Sequence, residues 1–340
     1  MSALELLPAN LRCSFFNSYL RPSLRGWGRI FLFICGVVAP LAAFSFDLQA
    51  HRGGRGLAPE NTLAAFERAL QIGVSTLELD IGISADGVPV IHHDAALNPD
   101  ITRDAQGQWL TGRGPLIKSM TLAQLQVFDV GRSNLASPYG QQFPAQQARD
   151  GQRIPTLAAL FKRVKELGAD QVQFDIETKI FPLEPGDTVA PETFVTALLG
   201  VIREAGMTQR VMIQSFDWRS LQLIQKMEPG MRTVYLTTPN RLRDGSWTAG
   251  MLLKNHASVA HMVKASGGVI WSPNFKNVDA AAVKVAQQLG LKVIPWTVNE
   301  TGEMTQLLDI GVDGIITDYP DRLRELMRQR GLALPPTIQN

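Results

Sequence analysis

The 340-residue sequence has only two cysteines, Cys13 and Cys35, and both precede residue 45. The remainder therefore has neither a disulfide framework nor a thiolate metal site. Histidine is scarce as well, at five residues. The formal charge is only +2, and residues 1–45 contribute +3 through Arg12, Arg21, Arg25 and Arg29 against Glu5. The chain beyond residue 45 is near −1 and has no basic run, which argues against a nucleic-acid partner. There are no internal repeats and no low-complexity tract. With 45% hydrophobic and 19% charged residues, the composition is that of an ordinary globular protein. It fits two domains, or one α/β barrel of about 250 residues carrying an insertion.

The N-terminus reads as a targeting segment. Arg21, Arg25 and Arg29 precede the apolar run Ile30–Ala43 (IFLFICGVVAPLAA), and small residues follow around Ala43-Phe44-Ser45. A positive flank, an apolar stretch of roughly 7–15 residues and a small-residue exit describe a secretory signal. An uncleaved anchor needs about 20 apolar residues, and reaching that length would consume Phe46–Ala50, which is needed as a first strand. Phe33-Ile34-Cys35 lacks the small residue expected before a lipidated cysteine. The expectation is a cleaved signal over 1–45, a mature start between Phe44 and Leu48, and an exported protein, periplasmic or extracellular. The alternative is a membrane-anchored protein with its folded part outside, touching the membrane only through this segment.

After residue 45, short β-rich runs alternate with amphipathic helices. The strands expected are 46–50, 76–81, 88–92, 171–176, 210–214, 232–236, 268–272, 292–297 and 313–317. Leu63, Phe66 and Leu70 keep a helical spacing after an Asn61/Thr62 start, and Gly73 ends that helix. Such alternation implies a parallel sheet covered by helices. Nine strands are one too many for a (β/α)8 barrel. Asp86-Gly87, however, is a hairpin signal in a connection too short for a crossover helix. The expected fold is therefore an irregular TIM (β/α)8 barrel over 46–330, in which 76–92 folds partly as a hairpin that brings Asp80 near His92 and His93. Residues 95–155 break the rhythm and form an insertion of about 60 residues after the third strand, with one helix at 121–128. Residues 331–340 form a C-terminal tail.

Glu78 and Asp80 are spaced i, i+2 on a strand, so both point to one face. Two carboxylates about 5 Å apart repel by roughly 3 kcal/mol at an effective dielectric of 20. A hard divalent cation with oxygen ligands offsets that most simply; a solvent-facing pair on an edge strand is the alternative. Asp175 and Glu177 repeat the spacing in "FDIETK". Glu177 would supply a third metal carboxylate and Lys179 would meet an anion, unless the motif is only a strand-end salt bridge. His51 and His93 stand at different strand ends. Imidazole suits both the base and the acid of phosphoester cleavage near neutral pH. Arg52 offers a planar fork for phosphate oxygens. His92 points to the other face and reads as structural.

Taken in order, "HRG…APENTLAAFERAL…ELDI…DGVPVIHHD…IETK…QSFD…IPWTVN…GVDGIITDYPD" closely resembles the glycerophosphodiester phosphodiesterase family, across about 46–330. The resemblance implies a TIM-type barrel with its site at the strand C-termini, and metal-dependent hydrolysis of a small glycerophosphodiester to glycerol 3-phosphate and an alcohol. It assigns His51 and His93 to acid–base catalysis, and Glu78, Asp80 and Glu177 to one divalent metal, Ca²⁺ or Mg²⁺. It places Arg52 and Lys179 on phosphate and Trp296 as the wall against which glycerol packs. Glu60 reads best as a cap for the helix after "PENT", and Asp94 as a partner behind His93. One departure stands out. The family commonly continues "HD…LDRTT", whereas here His93-Asp94 leads into "AALNPDITRD", so the insertion is expected to roof the pocket and set the alcohol preference. Two other functions fit the same frame. One is a phospholipase-type enzyme acting on lysophospholipids, for which Trp109, Leu110 and Leu116 are a meagre apolar entrance. The other is a non-catalytic barrel that binds phosphate ligands.

Overall fold

The computed structural model describes residues 46–338, so the expected signal over 1–45 lies outside the described residues. Among those described, nine strands form one sheet: β1 (Asp47–Ala50), β2 (Thr76–Ile83), β3 (Pro89–Ile91), β4 (Gln173–Thr178), β5 (Val211–Ser215), β6 (Arg232–Thr237), β7 (Ile270–Pro273), β8 (Lys292–Val293) and β9 (Gly314–Thr317). The strand order is β8-β7-β6-β5-β4-β2-β1-β9, all parallel, with β3 antiparallel on β2. Backbone bonds close the ring between β8 and β9, from Asp313 N–H to the Val293 carbonyl (2.9 Å) and from Ile316 N–H to that of Pro295 (3.0 Å). Eight parallel strands thus make the barrel, and the ninth is the far arm of the expected hairpin.

The longer helices that cover it are α1 (Leu63–Ile72), α3 (Leu157–Glu166), α4 (Pro191–Glu204), α5 (Trp218–Met227), α7 (Ala280–Gln288), α8 (Thr301–Asp309) and α9 (Pro320–Gln329); α2 (Leu122–Leu125) and α6 (Val259–Ala265) are shorter. Helix α1 shows why these positions are helical. Its apolar stripe buries Phe66 and Leu70 against the barrel, Thr62 caps it by accepting the Ala65 N–H at 3.1 Å, and Gly73 ends it in the left-handed region.

Several boundaries differ from the sequence reading, most by one or two residues, and three differences have a plain cause. The fourth strand starts at Gln173 rather than 171, because a turn closes from Val172 N–H to the Ala169 carbonyl. The strand expected over 292–297 is regular only at Lys292–Val293, since Pro295 has no N–H for a ladder. The helix expected over 121–128 stops at Leu125, because Asp129 and Arg103 exchange backbone bonds and draw the chain into an extended pairing. Residues 95–155 carry a small core of their own, with Leu97, Ile117, Leu125, Val130 and Ile154 buried against Val90. Leu110 packs on that core and Trp109 lies beside Arg103, so neither forms an apolar entrance.

Inside the barrel the two halves differ in chemistry. β5, β6, β7 and β9 send in Met212, Val234, Ile270 and Ile316, which pack together with Ile294 just past β8. β1, β2 and β4 instead bury Gln49, Thr76, Glu78, Asp80, Asp175 and Glu177. The polar half leads up to the site.

Candidate active site

The Gly-rich bend after β1 exists to turn backbone and side chains inward. Arg52 has φ 52° and Gly53 has φ 80°. A Cβ on Gly53 would stand 2.9 Å from the Ala65 Cβ, so only glycine lets α1 pack this close. The bend aims the Arg52 N–H at Glu78 Oε2, 2.8 Å away. Gln214 Nε2 donates to the other Glu78 oxygen at 2.6 Å.

The parallel register of β2 and β4 sets Glu78 opposite Asp175 and Asp80 opposite Glu177. Ligand atoms of Glu78, Asp80 and Glu177 lie within 4.8 Å of one another, and all three residues are buried. Two cations hold them together. Arg52 pairs with Glu60 (2.8 Å) and Asp80 (3.2 Å), while Lys179 pairs with Glu177 (2.8 Å) and Asp80 (3.4 Å). Burial and the Asp80 charge push Glu78 well above the usual carboxylate range. Burial opposes ionisation of Asp80 too, but Lys179 and Arg52 outweigh it and hold its carboxyl well below. Counting Glu60, the six groups carry two excess negative formal charges, and Asp80 Oδ1 accepts no hydrogen bond. An all-oxygen set with that deficit fits a hard divalent cation. Glu60 does not cap α1, as the sequence suggested: Thr62 does, and Glu60 is drawn inward by Arg52 and by the Tyr139 hydroxyl.

The histidines are held in matching ways. His51 Nδ1 meets Asp318 Oδ1 at 2.6 Å, and Asn299 Nδ2 donates to Asp318 Oδ2 at 2.8 Å. His93 Nδ1 meets Asp94 Oδ1 at 2.7 Å, and Asn98 Nδ2 donates to Asp94 Oδ2 at 2.8 Å. Each ring therefore carries its proton on Nδ1 and keeps Nε2 free to accept another. Burial is the main cause that lowers both to about 4, helped by Arg55 at His51 and by Arg52 and Lys179 at His93. His92 is buried with Nδ1 on the Asp94 carbonyl and does not line the pocket.

These groups open into one cavity of about 280 Å³, lined further by Phe181, Phe216, Arg241 and Trp296. Trp296 is fixed by its Nε1–H on the Ser272 carbonyl (3.0 Å) and packs edge-on to Phe216 at 5.3 Å. Every residue singled out from the sequence for chemistry thus reaches this pocket or its supporting shell. Sequence reasoning gave no role to Asp318, Asn98, Asn299, Gln214, Tyr139 or Arg241. For Asp318 and Asn299 a signal was present in "TDYPD" and "WTVN", each of which sets a polar residue just past a barrel strand.

Residues 51–322 match the Glycerophosphoryl diester phosphodiesterase family. A glycerophosphodiester phosphodiesterase of Caldanaerobacter subterraneus subsp. tengcongensis is 30% identical over 83% of this chain and 98% of its own. Another from Bacillus subtilis is 29% identical over 82% and 85%. Among solved structures, a protein of Silicibacter pomeroyi DSS-3 assigned to the same activity is 35% identical, with a TM-score of 0.78 over 85% of this chain and 95% of its own. A phosphodiesterase of Oleispira antarctica, solved with its product sn-glycerol-3-phosphate, shares the fold at 24% identity, with a TM-score of 0.60 over 82% and 96%.

Proposed function

The chain belongs to the glycerophosphoryl diester phosphodiesterase family, and on that premise we propose how its pocket performs the reaction. It is a hydrolase that converts glycerophosphodiesters to glycerol 3-phosphate and an alcohol. The observation that carries the assignment of roles is a cluster of three carboxylates, two of which line one cavity together with two Nδ1-anchored histidines.

Glu78, Asp80 and Glu177 would hold one divalent ion, Ca²⁺ or Mg²⁺, with export favouring Ca²⁺. Bound there, it supplies Lewis-acid stabilisation of the phosphate oxygens. Arg52 and Lys179 place positive charge beside the phosphate, and Trp296 gives the glycerol a flat apolar wall. One histidine takes the proton from the attacking oxygen, either water or the glycerol 2-hydroxyl; the other protonates the departing alkoxide. Both rest neutral at pH 7, so the donor gains its proton as the anionic diester arrives, because a nearby negative charge favours imidazolium. Asp318 and Asp94 keep each ring aimed throughout.

The test is release of glycerol 3-phosphate from glycerophosphocholine, glycerophosphoethanolamine and glycerophosphoinositol, and of lysophosphatidic acid from a lysophospholipid, by the purified protein, with and without chelator. Turnover of the first three, lost on chelation and restored by Ca²⁺ or Mg²⁺, is expected. Full activity in excess chelator after verified metal removal would overturn the site. His51→Ala and His93→Ala should each lose about 10²–10⁴-fold in kcat, and His92→Ala should keep most of it. We also propose export through residues 1–45, which the basic flank and apolar run support; a native N-terminus upstream of Arg25 would count against cleavage.

A further inference from the structure

The cations around the pocket are nearly all matched by carboxylates: Arg52 by Glu60 and Asp80, Lys179 by Glu177 and Asp80, Arg55 by Asp318. Arg241 is the exception. Glu177 and Glu184 act on it only from a distance, and among the described residues its guanidinium has no close ion pair and no side-chain hydrogen bond. It lies instead 3.7 Å from the centroid of Phe216 and 4.1 Å from that of Trp247. Those rings stand at 83° to each other with centroids 6.5 Å apart, and Phe181 meets Trp247 at 86° on the other side. Near-perpendicular aromatic faces around a cation are the arrangement that receives quaternary ammonium groups. Here the protein's own guanidinium occupies the corner.

The position decides what this does. Arg241 follows β6 in the turn Pro239–Leu242 and lines the catalytic cavity. It stacks on Phe216 and Trp247, whereas Trp296 touches only the Phe216 edge of that row. We propose that, with glycerol on Trp296, the leaving alcohol lies towards Arg241, which fills an aromatic cage there, so that the enzyme turns over diesters of uncharged, hydroxyl-rich alcohols faster than those of quaternary ammonium ones. This rests on the phosphodiesterase reading with glycerol at Trp296. The guanidinium donates to hydroxyl oxygens, while a choline group would meet both an occupied cage and a like charge.

Two measurements test it, and one needs no turnover. Binding of choline alone, followed by calorimetry and by tryptophan fluorescence, should be at least about tenfold tighter in Arg241→Ala than in the unaltered protein, the scale of a partly desolvated cation–π contact. Arg241→Lys, which keeps a cation over the rings, should bind choline as poorly as the unaltered protein. Arg241→Met serves as well if the alanine variant does not fold. In turnover, kcat/KM for glycerophosphocholine relative to glycerophosphoglycerol should rise at least about tenfold in Arg241→Ala. Equal choline affinities in the two proteins would overturn the cage, and so would an equal loss on both diesters, which would place the guanidinium on the phosphate or glycerol instead. Absence of turnover on every glycerophosphodiester would count against the reaction, a result the choline titration separates from failure of the cage.

Discussion

Glu177 and Asp175 leave the same face of β4 two residues apart, both buried, and their surroundings have little in common. Glu177 stands where β1, β2 and β4 end, within reach of two other carboxylates and bonded by Lys179. Asp175 lies one layer deeper, near Asp47, and neither of its oxygens accepts a hydrogen bond. Asp47 takes the Thr76 hydroxyl (2.7 Å) and the Gln49 amide (2.9 Å), so Asp175 draws only a minor stabilisation from Gln49. Burial, then the Asp47 charge, raises the Asp175 carboxyl well above its usual range and favours the neutral acid. A buried carboxylate is therefore not in itself a site. It becomes one where several strand ends converge, cations pair with it and a cavity opens onto it.

The largest effect should come from removing charge in the upper layer. Asp80→Asn or Glu177→Gln is expected to cost at least about 100-fold in divalent-ion affinity, since even residues that only support metal ligands are worth about 10–100-fold. Activity should fall with it, read by calorimetry and by release of glycerol 3-phosphate. Asp175→Asn should leave both within a few-fold. Comparable losses in Asp175→Asn would erase the distinction between the layers.

Next in size is the support behind a histidine. Asp318→Asn replaces the acceptor of the His51 Nδ1–H with an amide that can present a donor, so the ring loses its fixed tautomer. A loss of about 10²-fold in kcat with little change in KM is expected, together with a displaced pH–rate profile. A variant that altered KM alone would make Asp318 a binding group rather than the residue that positions His51.

Much of this layout is legible in the sequence, for identifiable reasons. Alternation of strand and helix is a local signal, and the i, i+2 spacing puts Glu78 with Asp80 on one face whatever the rest of the chain does. Register is not local. The spacing alone gives Asp175 and Glu177 equal standing; the place of Glu177 at the strand's end singles it out, and the pairing of Asp80 with Glu177 across β2 and β4 supplies the physical reason. The 51–318 contact spans nearly the whole described chain, so nothing near His51 announces its partner. Glu60 reads as a cap because a carboxylate at a helix start satisfies backbone donors in most settings. Here Arg52, turned inward by its positive φ, competes for it and wins. Ion pairing also takes over part of the role expected of the metal, since Arg52 and Lys179 already offset much of the carboxylate repulsion.

The smallest effects lie in stability, where Asp175 and His51 should differ in sign of response rather than in size. Asp175 has a raised carboxyl in the folded protein, so above the ordinary carboxylate value of about 4 the folded state holds a proton that the unfolded chain has released. Its contribution to stability is greatest below that value and is lost as pH rises through the folded-state value. Asparagine has no proton to lose. Asp175→Asn should thus change stability by no more than about 1 kcal/mol at pH 5, and the variant should gain on the unaltered protein as pH rises. His51 runs the other way. Its folded value of about 4 lies below 6.5, so the unfolded chain binds the extra proton between those limits and stability falls as pH drops through them. Thermal melts of ion-free protein from about pH 4 to 8 check both slopes at once. A pH-independent difference between Asp175→Asn and the unaltered protein would mean that Asp175 is ionised after all, and that the deeper layer holds a charge as Asp80 does above it.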